Sequence, residues 1–204
     1  MNEDRKNRFL ARLIIVLLTL QAVLVLASWL LAAAMPTLSV RSLISGEGVR
    51  WFVGNFALLL AKPLLVWIVL LAIAVGAVRQ SGLCAIWREY KRGDDRLRLS
   101  LGVVGVEIML FLAVIALATL PRNAILLNVA GHLFPGTLSA GAVALLSFFV
   151  SVVAVSHALI MGRLQTCRDF VRMFTRGIAE WAPVIVVYVF AAQLFFSLRF
   201  VFGI

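Results

Sequence analysis

Five stretches of this chain, residues 13–35, 63–78, 99–120, 137–162 and 182–198, contain between them one charged side chain, Glu107. A hydrocarbon core about 30 Å thick is crossed by roughly 20 apolar residues in a helix, so runs of this kind leave few folds open. Each unpaired backbone N–H or C=O in lipid costs several kcal/mol, and a helix satisfies all of them within one segment. The expected fold class is therefore an all-α membrane protein with about five transmembrane helices. Composition agrees: the 204 residues are 63% hydrophobic and 14% charged, whereas soluble domains carry about 45–50% and 25%.

Prolines punctuate the spans. Pro36 stops the first, Pro63 stands at the favourable first turn of the second, and Pro121 ends the third. The second, 63–78, is short and calls for tilt or local thinning of the bilayer. Ala32, Ala33 and Ala34 offer a signal-peptide cleavage context. The apolar stretch before them is about twice the usual signal-peptide core, however, which favours a retained anchor.

The net charge of +10 could suggest nucleic acid, but the cations are distributed as a topology signal. The N-terminal tail, the segment between the second and third spans and the segment between the fourth and fifth hold fourteen Lys and Arg, against five in the alternate segments. The basic side is the cytoplasmic one, which predicts the N-terminus inside and the C-terminus outside. Arg88, Lys91 and Arg92, with Arg168, Arg172 and Arg176, are the candidates for contact with anionic headgroups. Cys84 and Cys167 fall in the same cytoplasmic segments and read as reduced thiols.

Two further segments are expected to lie along the membrane. After a turn at Ser45-Gly46-Glu47-Gly48, residues 49–61 form a helix too short to cross, placed as an outer re-entrant or interfacial element with Trp51 at the headgroup level. On the inner side, residues 163–180 are amphipathic. Arg168, Arg172 and Arg176 recur every fourth residue, and Phe170, Met173, Phe174 and Ile178 line another face.

Glu107 is the only acidic residue within a span, and a carboxylate at that depth needs a partner, a proton or water. It is the first candidate for a proton or cation site, with Arg96 and Arg98 near the same membrane face as alternative partners. His157 and Gln193 are the other polar candidates at membrane depth. The sequence has no carboxylate pair, Ser/His/Asp set, phosphate-cradling glycine loop or zinc-ligand spacing, so neither an enzyme nor a cofactor is expected.

Residues 40–51, VRSLISGEGVRW, resemble the SLLSGEGLR segment of the AbgT family of aminobenzoyl-glutamate transporters. Residues 70–83, LLAIAVGAVRQSGL, are similar to that family's VAMLGIGVAEESGL, and residues 169–196 to its DVVKMMSEGMATMAPYIVLAFFAAQF region. The resemblance covers about half of the chain and implies a bacterial inner-membrane secondary transporter that assembles as a dimer. It implies small organic anions or drugs as cargo and a coupling ion, Na+ or H+. Asn55 and Gln193 occupy motif-matching positions near helix breaks. The family's Asn-Phe-Thr-Gly-Phe is reduced here to Asn55-Phe56, and its Asn-Ser-Asn-Leu-Gly stretch does not follow Gln193. The expected function is thus an AbgT-like transporter subunit in an oligomer. The alternatives are a scaffold that kept the family's oligomerising helices and, less favoured, a small channel. Membrane lipid and further copies or another membrane subunit are the expected partners.

Overall fold

The computed structural model describes residues 3–35, 39–86, 95–119 and 137–203, and among these no strand occurs. Six helices follow in order: α1 Glu3–Ala34, α2 Gly46–Leu60, α3 Pro63–Ser81, α4 Asp95–Thr119, α5 Thr137–Ile160 and α6 Cys167–Phe202, with a short 3-10 turn Leu83–Ala85 after α3. All but α2 are long and apolar enough to cross a membrane. The chain is a multi-pass, all-α membrane protein.

Helix limits follow local chemistry more closely than they follow hydropathy. α1 and α4 begin in charged flanks, at Glu3 and Asp95, because Arg, Lys and Glu propagate a helix as well as Leu does. α2 starts at Gly46, so the Ser45–Gly48 turn lies largely inside the helix. The Ser45 hydroxyl accepts the Gly48 N–H at 3.1 Å, an N-cap, and Glu47 sits in the positive first turn. Gly48 is required there, because a Cβ would run into the carbonyls of Ser42 and Leu43.

The largest departure from expectation is α6. The segments read as 163–180 and 182–198 are one continuous helix, Cys167–Phe202, with Pro183 inside it. At about 1.5 Å per residue its 36 residues measure roughly 54 Å. A proline removes one backbone hydrogen bond, which transmembrane helices accommodate. The change from amphipathic to apolar composition near Glu180 alters the surroundings of the helix and leaves its backbone path continuous. Its N-terminus is a capping box: Thr166 N–H and Oγ donate to Asp169 Oδ2 at 3.1 and 2.7 Å, and the Asp169 N–H donates to Thr166 Oγ at 3.3 Å.

Two compact units emerge, Met1–Val66 with Trp181–Ile204, and Trp67–Glu180. The first packs Leu43, Phe200 and Val201 with Leu24, Val25, Val40 and Trp51. Buried Ser28 on α1 accepts the Leu43 N–H at 3.2 Å, and the Arg41 N–H donates to the Val201 carbonyl at 3.0 Å, fixing the connecting segment. The second unit centres on Ala77, Ala154 and Ala158, small residues that let α3 and α5 pack closely, with the buried Met173 of α6 filling the core between them. Outer faces are apolar, as lipid requires: Leu117, Phe148 and Val53 are each more than 70% exposed.

Candidate functional site

In the second unit, α4 and α5 pair antiparallel, and their contacts carry two of the polar candidates, Glu107 and His157. Ser100 meets His157, Glu107 meets Ser156, and Phe111 stacks on Phe149 with ring centroids 3.9 Å apart. Residue numbers rise along α4 as they fall along α5. Side chains lean toward a helix N-terminus, so the Glu107 carboxyl reaches back to Ser156.

The Ser156 hydroxyl donates to Glu107 Oε1 at 2.5 Å, while Oε2 is buried without a hydrogen-bond partner. A carboxyl held by one donor keeps acceptor capacity for a proton or a cation. His157 is fully buried, with Nδ1 2.5 Å from the equally buried Ser100 hydroxyl; the imidazole tautomer decides which of them donates. Glu107 and His157 are thus each held by a serine on the facing helix.

Beside the pair lies an open cleft of about 380 Å³. Ser147, Ser151 and Ser156 contribute to its α5 wall, Phe170 and Phe174 to its α6 wall and Ile73 to its α3 wall. Ser151 donates to the Ser147 carbonyl of its own helix at 2.8 Å, and the buried Ser147 hydroxyl oxygen has no hydrogen-bond partner. Ser156 is therefore shared: it lines the cleft and binds Glu107.

Gln193 belongs to the first unit, where it is buried. Its amide lies 3.5 Å from the Ser197 hydroxyl, which also accepts the Gln21 amide of α1 at 3.0 Å. Both glutamine carbonyl oxygens are buried without hydrogen-bond partners. Asn55, in the same unit, donates from Nδ2 to the Trp51 carbonyl at 3.0 Å and so serves the backbone of its own helix. The expected set accordingly divides: Glu107 and His157 share one hairpin, and Gln193 and Asn55 have separate partners in the other unit.

Of the basic candidates, Arg168 and Arg172 are exposed on α6. Arg176 is exposed as well and lies 3.5 Å from Glu180 Oε1, while Arg79 bonds Glu180 Oε2. Arg88, Lys91 and Arg92 lie outside the described residues. In the polar first turn of α6, ahead of the apolar run, hydrogen bonds from the Thr166 hydroxyl and N–H hold the Asp169 carboxyl below its ordinary pKa, with Arg172 a smaller contributor. Cys84 and Cys167 are free, exposed thiols.

Ser100, Ser156, Gln21, Ser197 and Ser28 complete these polar contacts, and hydropathy did not single them out. Two signals in the sequence mark some of them: the adjacent Ser156-His157 pair in an apolar helix, and Ser197 one turn after Gln193. Comparison of the chain with protein-family profiles, curated proteins and solved structures finds no match.

Proposed function

We propose that the chain is an AbgT-like transporter-type subunit working in an oligomer in a bacterial inner membrane, with Glu107 as its proton or cation site. The observation that carries this reading is Ser156, which donates to a half-satisfied carboxyl and also lines an open cleft. An ionisable group at membrane depth is a functional position by default, because it costs several kcal/mol where it has no task or partner. The cleft walls, aromatic and aliphatic with a stripe of hydroxyls, suit the apolar body of an organic anion or drug.

Proteoliposomes containing the full chain and a trapped pH dye, driven by an imposed potassium diffusion potential, test the proton role. Wild type should acidify or alkalinise the lumen with the sign of the potential, and Glu107→Gln should reduce the rate about tenfold or more, a barrier higher by at least about 1.4 kcal/mol. Equal rates in the two proteins remove Glu107 from the mechanism.

A second reading is a non-transporting scaffold, and the Gln21–Ser197–Gln193 cluster favours it. These amides and the hydroxyl act as polar glue between α1 and α6, which is the work of an assembly module. Under that reading the wild-type protein moves no protons in the same vesicles.

A further inference from the structure

Within the first unit, an open pocket of about 360 Å³ is lined by Arg41, Trp51, Leu59, Phe196, Arg199 and Phe200. That size falls in the range of ligand sites, about 300–1,000 Å³. Its chemistry is unlike that of the apolar cleft described above. Trp51 and Phe200 stack with centroids 4.5 Å apart and 21° between planes. The Arg41 guanidinium lies over the Phe200 ring, 5.7 Å from its centroid, and the Lys62 ammonium over Phe196 at 5.5 Å. The Arg41 N–H bond to the Val201 carbonyl anchors this cation to the end of α6.

Three cations thus gather around three aromatic rings. Among the described residues a carboxylate, Glu47, lies beside them, 3.8 Å from Arg41, and both side chains are more than half exposed, so that pair is weak and open to competition. The α6 carbonyl end adds about half a negative charge against these three cations. Ring faces attract the cations and fix where their remaining donors point. An anion with an apolar body satisfies both halves of such a lining.

The planar fork of arginine matches phosphate oxygens in pairs, and tryptophan rings favour the headgroup level of a bilayer. The helices that form the pocket also expose Val53, Leu58 and Phe195. An amphiphile already in the membrane fits these surroundings better than a soluble ion does. The geometry points to a binding site for the phosphodiester headgroup of an anionic phospholipid: the phosphate lies between Arg41 and Arg199, and the glycerol and first acyl carbons lie against Trp51, Phe196 and Phe200. This site is independent of Glu107 and of any transport activity.

Native mass spectrometry of the full chain released from mild detergent tests it, with phosphatidylglycerol, phosphatidylcholine and soluble glycerol 3-phosphate as probes. Phosphatidylglycerol should bind at least about tenfold more tightly than phosphatidylcholine, a difference of about 1.4 kcal/mol. The double variant Arg41→Gln with Arg199→Gln should lose that preference. Arg50→Gln, which removes an exposed cation outside the pocket lining, should keep it. Equal retention of the two lipids, equal loss in Arg50→Gln, or glycerol 3-phosphate binding as tightly as the lipid each overturns the proposal. A second readout does not depend on the double variant folding. Phosphatidylglycerol with brominated chains should quench a component of tryptophan emission that is absent in Trp51→Phe. The same fractional quenching in both proteins also overturns the site.

Discussion

Gly76 of α3 and Gly177 of α6 meet with no side chain between them: a Cβ on Gly76 would sit 2.5 Å from the Gly177 Cα and 2.6 Å from its nitrogen. Both neighbouring atoms are backbone and cannot rotate away. Gly76→Leu should therefore destabilise the second unit by about 1–3 kcal/mol or prevent its packing. Gly102→Ala on α4, where a Cβ meets open space, should be neutral or stabilising by up to about 1 kcal/mol. Thermal unfolding in detergent, followed by the loss of monodisperse protein, separates the two outcomes.

The Ser100–His157 contact is a buried bond between helices. Ser100→Ala should cost about 0.6 kcal/mol, the average for hydrogen bonds between membrane helices, and no more than about 1.7 kcal/mol. A double-mutant cycle with His157→Leu should return a coupling energy of the same size, measured by unfolding in SDS. Coupling near zero would show that the two groups contribute separately.

Ser156 and Glu107 should respond asymmetrically. Ser156→Ala leaves the carboxyl without its donor and should destabilise by about 1–3 kcal/mol. Glu107→Gln keeps a side-chain oxygen to accept the Ser156 hydroxyl and should change stability by less than about 1 kcal/mol. The same unfolding assay reads both, so any loss of proton movement in Glu107→Gln can be separated from a loss of fold.

Glu180 serves two arginines, yet all three side chains are at least 30% exposed. Arg79→Gln and Arg176→Gln should each cost less than about 1 kcal/mol, and Glu180→Gln should cost more than either. All three effects should shrink between low salt and 0.5 M salt, as screening shortens the reach of exposed charges.

Cys84 and Cys167 are exposed thiols on segments that the Lys and Arg distribution assigns to the cytoplasm. In sealed right-side-out vesicles, a membrane-impermeant maleimide should label neither thiol until the membrane is permeabilised. Labelling of intact vesicles would invert the orientation.

Much of the fold was legible because lipid imposes it: apolar runs of sufficient length, bounded by prolines and charges, leave the helix as the economical solution. What composition concealed was continuity. Glu180-Trp181-Ala182-Pro183 reads as a boundary because charge gives way to apolar residues beside a proline, yet hydrogen bonding around one missing N–H carries α6 through. Gly46 and Gly48 read as turn residues, but the Ser45 cap places both inside α2. Glu107, His157 and Gln193 stood out because each is an expensive group in an apolar run. Their partners are mostly serines, which cost so little in hydropathy that only spatial pairing reveals them. Asn55, singled out by a motif position, turns its amide to its own helix backbone.

α4 is distinctive for how little of it is covered: none of its most apolar window is buried, and its buried residues, Leu97 and Ser100, lie near its start. Its order of assembly follows. A segment whose central run is so apolar can leave the translocon for lipid as an independent helix, its leucines, valines and phenylalanine offsetting about 2.5–3.5 kcal/mol for one acidic group near the centre. At that moment Glu107 has no Ser156 beside it, since α5 is synthesised later. The carboxyl must then take a proton or draw water inward until its serine arrives. The hairpin closes in a second stage, and docking of α5 relieves a solvation debt left by insertion. Membrane delivery of this protein should therefore depend on the carboxyl itself, before any packed structure exists to shelter it.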